Sequence, residues 1–436
     1  MRYVIIGAGV AGFAAVEGIR SLDPNSEVVM VSDDPHGFYS RPGLAYYLTG
    51  EVDDKALYAR TRTDYRDLAL TFVKGRVKRI LREEHALEIE GKPHLTYSKL
   101  LIAVGSRALP LKAPGENLDG VVKLDHFEDA NHILKTAKRS KRAVVVGGGI
   151  TALELTEALL ARGVETHYLL RGDRYWSNVL DGAESRIVEA RLQAEGVELH
   201  YHSDLVEILG KKGRVAGVRI QTGDVIPCDM VAYAVGIAPR IELAQAAGVL
   251  CERGILADEH LQTNDPDVYA AGDVAQVYDP LSGRAVIDSL WTPAREQGYA
   301  AGLNMAGRKT AYLKSAPFNV TRLAGLTTTI IGAVGRGRDE DIVGIARGDS
   351  ETWRDLPEAL VAQGGFDVNR VRLLIGEQYL LGAVLMGDQK LSLPLQKMVA
   401  HKADISPIRN ALLQPNAPVA DIIADFWLTW RNQIAA

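Results

Sequence analysis

Two glycine-rich turns, Gly7-Ala8-Gly9-Val10-Ala11-Gly12 and Gly147-Gly148-Gly149-Ile150-Thr151-Ala152, each follow a short β-branched run. Val4-Ile5-Ile6 and Val144-Val145-Val146 read as buried parallel strands, and Phe13 to Arg20 and Leu153 to Arg162 read as the helices that follow. In a strand, turn and helix of this kind the first glycine makes the turn and the second lets backbone approach a pyrophosphate. The helix N-terminus adds free N–H groups and a positive dipole end. A single GxGxxG is weak evidence, because glycines collect in any tight turn, but two in the same context imply two dinucleotide sites.

At 436 residues the chain has room for two or three domains, and 47% hydrophobic with 24% charged is ordinary globular composition. A net charge of −5 without a dense Lys/Arg run argues against nucleic acid or an anionic membrane surface as the main partner. Thr136 to Arg142 is the most basic stretch and reads as a solvated loop. Cys228 and Cys251 form no CxxC or Cys/His pattern, so neither a disulfide framework nor a metal site is expected, and both read as buried apolar residues. The chain starts almost on its first strand with no export signal, so a cytoplasmic location is expected. No stretch reaches the roughly 18 apolar residues that span a bilayer. Val419 to Ile434 reads as an amphipathic helix whose apolar face docks on the protein itself or on a second subunit. A membrane anchor is the weaker alternative, because the polar face lacks a Lys/Arg cluster.

Strand and helix alternate from Met1 to about Ala113, where Pro110-Leu111-Lys112-Ala113-Pro114-Gly115 suggests a domain crossing. A second alternating unit begins at Ala143, with strands at Glu165–Leu170, Val197–Tyr201, Val215–Gln221 and Met230–Val235. The first pattern resumes after Arg240 and includes a strand at Val268-Tyr269-Ala270. Past Lys309 antiparallel strands are expected at Ile342–Ala346, Val371–Ile375 and Leu380–Leu385, the last two flanking a hairpin at Gly376-Glu377-Gln378. The fold class expected is α/β: two Rossmann-like nucleotide-binding domains, one inserted in the other, plus a C-terminal α+β interface domain. The boundaries are 1–113 with 241–309, 114–240, 310–390, and a helical extension over 391–436, punctuated at Pro394, Pro407, Pro415 and Pro418.

Three further motifs occur in order: Leu101-Ile102-Ala103-Val104-Gly105-Ser106-Arg107, Ala232 to Arg240 with Gly236 at its centre, and Thr263 to Asp273 ending in Ala271-Gly272-Asp273. With the two turns, these resemble the pyridine nucleotide-disulfide oxidoreductase-like family of flavoproteins over about residues 1–390. The resemblance implies that the first turn, through Gly7, Gly9, Val10, Ala11 and Gly12, holds FAD. Val77, Ala103, Gly105 and Gly272 would line its site, and Asp273 would bond the ribityl chain. Asp273 also reads as a helix N-cap at a strand end. Ser32 or Asp33, about 20 residues past Gly12, would meet the adenosine ribose. Trp291 and Thr292 would open a helix, with Thr292 as its cap and Pro293 at its first position, aimed at the flavin.

The second turn, with Gly147, Gly149 and Ile150, would hold NADPH or NADH. Leu170 replaces the acid that would bind a ribose, and Arg171 and Arg174 follow, residues able to pair with a 2′-phosphate unless they are simply solvated. Arg41 and Pro42 lie where many relatives carry a redox cysteine. Without a thiolate there is no mixed disulfide and no sulfenic acid cycle. Arg41-Pro42 resembles the ferredoxin and rubredoxin reductase branch and the flavin domain of nitrite reductase, although Tyr46 stands where those relatives often carry lysine. Glu154 matches a glutamate placed near the reacting rings. The activity implied is hydride transfer from NAD(P)H to FAD, then electron transfer to a ferredoxin, rubredoxin or iron-sulfur partner, in a homodimer. A quinone reductase, or a flavin-binding interaction protein resembling apoptosis-inducing factor, are the alternatives.

Overall fold

The computed structural model describes residues 1–279, 283–335, 359–366 and 369–434. Each glycine turn opens a five-stranded parallel sheet. The first runs Val268–Ala270, Lys99–Ile102, Arg2–Ile6, Glu27–Ser32, Leu70–Lys74 in spatial order. Ile5 pairs with Met30 on one side and Leu101 on the other, and all three are fully buried. Both faces of this sheet are covered, so its strands read as continuous apolar runs rather than alternating ones. The second sheet runs Glu198–His200, Glu165–Leu169, Arg142–Val146, Met230–Tyr233, Val121–Lys123.

The chain leaves the first sheet after Ile102 and returns to it at Val268, with the whole second sheet between. The outgoing and returning segments lie side by side, because Ser106–Ala108 pairs antiparallel with Ile237–Pro239. Behind the first sheet the Val10–Arg20 helix and the Trp291–Met305 helix touch backbone to backbone. A Cβ on Gly298 would stand 2.1 Å from the Ala11 carbonyl oxygen, and one on Gly302 would stand 2.2 Å from that of Ala15. Only glycine permits that approach, which carries the N-termini of both helices to the end of the same sheet.

The third sheet is antiparallel, ordered Phe318–Leu323, Leu326–Gly332, Leu380–Met386, Asn369–Ile375, Leu360–Phe366. The expected hairpin joins its Asn369–Ile375 and Leu380–Met386 strands; the strand expected over Ile342–Ala346 lies outside the described residues. Arg372 ties this sheet to the Gly182–Ala194 helix: its Nε donates to Glu184 Oε1 at 2.8 Å and its terminal nitrogens donate to the carbonyls of Val334 and Val179. The three final helices, Ser392–Ala400, Ser406–Leu412 and Val419–Ile434, pack around Leu395, Met398 and Ile405. The last one buries Ile423 and sets Phe426, Trp427 and Trp430 against that cluster, so its apolar stripe docks on the protein itself. No helix among the described residues is long and apolar enough to cross a membrane.

Three expectations need correction. Arg214–Ile220 belongs not to the parallel alternation but to a separate antiparallel sheet with Leu205–Lys211 and Val225–Ile226, because the Lys212-Gly213 turn, at φ of +54° and +77°, folds it back on its neighbour. Thr136 is no loop residue: it is buried in the last turn of the Phe127–Ala137 helix, and Arg142 already begins a strand. Cys228 is buried, but Cys251 is only half-buried.

Candidate active site

The first glycine turn and the start of the helix after the second reach one cleft of about 1150 Å³. Gly7 holds φ +111°, and a Cβ there would lie 2.2 Å from the Ala103 carbonyl oxygen, whereas a Cβ on Gly9 would meet nothing within 4 Å. The first glycine is thus fixed by the neighbouring strand, and the second presents bare backbone to open space, the cradle a diphosphate requires. The same wall carries Val10, Ala11, Ser32, Asp33, Val77, Ala103, Gly105, Gly272, Asp273 and Trp291. Gly12 stands behind it, where a Cβ would come within 2.2 Å of the Gly7 carbonyl oxygen. Arg41 and Pro42 close one side, and Ile150 and Glu154, from the helix of the second turn, enter from the other.

The donor set suits an anion. Arg41 Nη2 approaches His126 Nδ1 at 3.2 Å while Arg240 Nη2 approaches His126 Nε2 at 2.9 Å. Burial, with the Arg41 guanidinium beside it, lowers the pKa of His126 below the ordinary histidine value. A neutral imidazole accepts at one nitrogen only, so one guanidinium keeps donors to spare in a wall that both arginines line. These residues therefore fit a dinucleotide diphosphate. His126 belongs to no local motif, and sequence reasoning missed it; Arg240 closes the Ala232–Arg240 motif, but no role in the site was expected of its side chain.

Asp273 accepts a hydrogen bond from Ser106 Oγ at 2.7 Å, but it caps no helix, because the chain runs on into the Ala275–Asp279 strand. The helix expected to start with Thr292 as cap begins earlier. Leu290 is its N-cap, Trp291 its first residue, and Pro293 sits at the third position. Burial of Leu290 and stacking of Trp291 on Phe38, with centroids 5.9 Å apart, set that start in place of a polar cap. Thr292 is accordingly absent from the cleft wall.

The far wall joins the second and third sheets. Glu154 and Glu157 line it from the Ile150–Ala161 helix, Tyr46 from the Gly43–Thr49 helix, and Arg322 from the Phe318–Leu323 strand. Arg322 lies over the Tyr46 ring at 5.1 Å and pairs with Glu51 at 2.5 and 2.7 Å. A strand far along the chain thus brings a cation to the Tyr46 position. Burial pushes the Glu157 carboxyl up to about 7. Neither cysteine lines this cleft, whose wall includes Pro42.

A second cleft, of about 370 Å³, is lined by Gly147, Leu169, Arg171, Ser203 and Asp204. Gly149 is the N-cap of the helix that follows. Arg171 Nε donates to Asp204 Oδ1 at 2.7 Å. Arg174 is not brought there: its Nη1 pairs with both Asp173 oxygens at 3.0 Å and its Nη2 with the Ser177 carbonyl, so its nearest acid captures it. Gly236 is likewise outside both clefts, its carbonyl accepting from Leu109 N–H in the crossing ribbon. Away from both clefts, His167, Glu198 and His200 gather their ligand atoms within 4.8 Å, a grouping that cysteine spacing could not reveal.

The chain is 31% identical to rhodocoxin reductase of Rhodococcus erythropolis over 348 residues, covering 77% of this chain and 81% of that one. It is 26% identical to the assimilatory nitrate reductase electron transfer subunit of Bacillus subtilis over 418 residues, 95% of this chain but 51% of the relative, and so spans about half of that protein. Its fold matches the putidaredoxin reductase solved in covalent complex with putidaredoxin, with a TM-score of 0.83, 23% identity, and coverage of 97% of this chain and 98% of that one. The pyridine nucleotide-disulphide oxidoreductase model matches residues 1–298, and the chain belongs to that family of flavin- and nicotinamide-dependent oxidoreductases.

Proposed function

We propose that the chain oxidises NAD(P)H at its FAD site and passes the electrons to a small iron-sulfur or rubredoxin-type carrier protein. The observation that carries the reading is the single cleft onto which the first glycine turn and the helix of the second both open, with proline where a thiol would stand. Bound FAD would supply hydride acceptance and one-electron release, chemistry that no side chain here supplies.

The chain's own residues bind and orient. The Gly7–Gly12 backbone and the positive end of the Val10–Arg20 helix hold the diphosphate, and Arg41 and Arg240 offset its charge. Ser32 or Asp33 meets the ribose, Asp273 anchors the ribityl chain, and the Trp291–Met305 helix turns its N-terminus toward the site. Glu154 sets the floor of the nicotinamide pocket. In the second cleft Arg171 leaves Asp204 for a 2′-phosphate, or Asp204 itself meets a ribose hydroxyl. NADPH is therefore the favoured donor and NADH the second. The domain divisions set out from the sequence, a homodimer and a cytoplasmic location complete the reading.

Names of relatives support the carrier: rhodocoxin reductase, a nitrate reductase electron transfer subunit, and a putidaredoxin reductase joined to putidaredoxin. The docking of the last helix on its own cluster counts against a quinone acceptor reached through a membrane anchor. The test is anaerobic stopped-flow reduction of the flavin by NADPH and by NADH, followed by mixing with an oxidised ferredoxin or rubredoxin. Fast bleaching, faster with NADPH and reversed by the carrier, is the expected result. Bleaching that no carrier reverses would refute the second half of the reading, and no bleaching would refute the first.

A further inference from the structure

We propose that His167, Glu198 and His200 form a binding site for a divalent transition-metal cation, zinc foremost, on the edge of the second sheet. Parallel pairing sets His167 against Glu198 and Leu169 against His200. Because alternate residues of a strand share a face, all three side chains leave the sheet on the same side. His167 Nδ1 lies 3.0 Å from His200 Nε2, and the Glu198 carboxylate oxygens lie 3.4 Å from the first and 3.5 Å from the second. Tetrahedral zinc with bonds of about 2.0–2.1 Å holds its donor atoms about 3.3 Å apart. Each pair of residues offers atoms near that separation, His167 through Glu198 Oε2 and His200 through Glu198 Oε1, and one ligand atom from each residue lies within 4.8 Å of the others, so a small turn of the exposed carboxylate completes the set. A hydrogen bond between two imidazoles accounts for the short nitrogen contact but does not call for a carboxylate nearly equidistant from both rings.

The surroundings are those of a supported ligand. Glu165, two residues before His167, places Oε1 3.7 Å from His167 Nε2, and Arg142 holds that carboxylate at 2.9 and 3.1 Å. His167 Nε2 is buried without a hydrogen-bond partner, and Glu165, on closing that gap, would orient the imidazole toward a metal and raise its basicity. His167 is only 7% exposed, whereas the Glu198 side chain is 63% exposed and leaves the fourth position open to water. Two imidazoles and a carboxylate select zinc, copper, nickel or cobalt over magnesium or calcium. The His200 strand ends three residues before Ser203, a wall residue of the second cleft, so a bound cation staples the strand that leads into it.

The test is calorimetric titration of zinc chloride into the chelator-stripped, flavin-loaded full chain, alongside Glu198→Gln, His200→Ala and Glu165→Gln. One cation per chain is expected, with affinity at least tenfold weaker in Glu198→Gln and His200→Ala and about tenfold weaker in Glu165→Gln. Glu198 is exposed, so its variant keeps the fold, which the flavin spectrum checks, and carries the test if His200→Ala does not. No zinc binding to the parent chain, or binding that Glu198→Gln leaves unchanged, would overturn the site.

Discussion

Glu157→Gln isolates one half-buried acid. Glu157 sits on the helix after the second glycine turn, and Gly325 N–H donates to its Oε1 at 3.1 Å across the contact with the third sheet. Burial raises its pKa from 4.5 to about 7, against the pull of Arg322 and the Gly325 amide and with help from Glu195 and Glu51. The unfolded chain releases this proton near 4.5 and the fold keeps it to about 7, so stability falls as pH rises between those values and stays lowered above them. At about 1.36 kcal/mol per unit the full loss is about 3.4 kcal/mol, of which about 1.4 has already occurred at pH 5.5. Glutamine keeps an acceptor for Gly325 and cannot titrate. The stability of Glu157→Gln relative to the parent should therefore improve by about 2 kcal/mol between pH 5.5 and 8.5. A cofactor-bound chain of several units does not unfold in two states, so the assay is the difference in melting temperature at matched pH with excess FAD. That difference should shift in the variant's favour by roughly 2 °C if the whole chain melts as one unit and by roughly 4 °C or more if a unit of about 150–250 residues melts alone. A difference that does not change with pH refutes the argument.

Gly302→Ala should lower the melting temperature and the FAD content of the purified protein, because the added Cβ would stand 2.2 Å from the Ala15 carbonyl oxygen and the two helices must part; overpacking of about 1–3 kcal/mol exceeds the roughly 1 kcal/mol gained in helix propensity. An unchanged absorbance ratio at 450 and 280 nm, each wavelength being roughly where flavin and protein absorb, would count against helix separation as the cause. Arg372→Ala takes from buried Glu184 its guanidinium partner at 2.8 Å and leaves it Arg370 Nε at 4.0 Å, so it should cost up to about 3–5 kcal/mol, read as a lower midpoint in urea; a midpoint equal to the parent's would show the clamp to be dispensable. Arg171→Ala should raise KM for NADPH selectively, whereas Arg174→Ala should not, since Asp173 and Ser177 already hold that side chain. Equal effects on NADPH and NADH would sink the 2′-phosphate assignment.

What could be read from the chain alone was whatever a short segment encodes by itself. A β-branched run, a glycine turn and a helix are contiguous, and both parallel sheets grow from such units. Leu290 as a cap was illegible because hydrophobic burial and the Trp291–Phe38 stack, not a polar side chain, define that helix end. Arg174 misled because its spacing was right but an adjacent acid outcompetes the cleft. Arg322 over Tyr46, and His126 between Arg41 and Arg240, join residues from separate units, and no periodicity links positions so far apart. The same holds for His167 and His200, which meet only because two strands pair in one register.

The antiparallel ribbon of Ser106–Ala108 with Ile237–Pro239 bears on the order of folding. Val268–Ala270 must find Lys99–Ile102 across about 165 residues of intervening chain, a slow, long-range search. Once the inserted unit has folded and zipped its two ends together, the effective gap shrinks to about 35 residues, and the closure entropy cost falls by about 1.4 kcal/mol. The guest unit thus acts as an intramolecular splint for its host: a substitution that unzips the ribbon should slow completion of the first sheet even though it touches none of that sheet's strands.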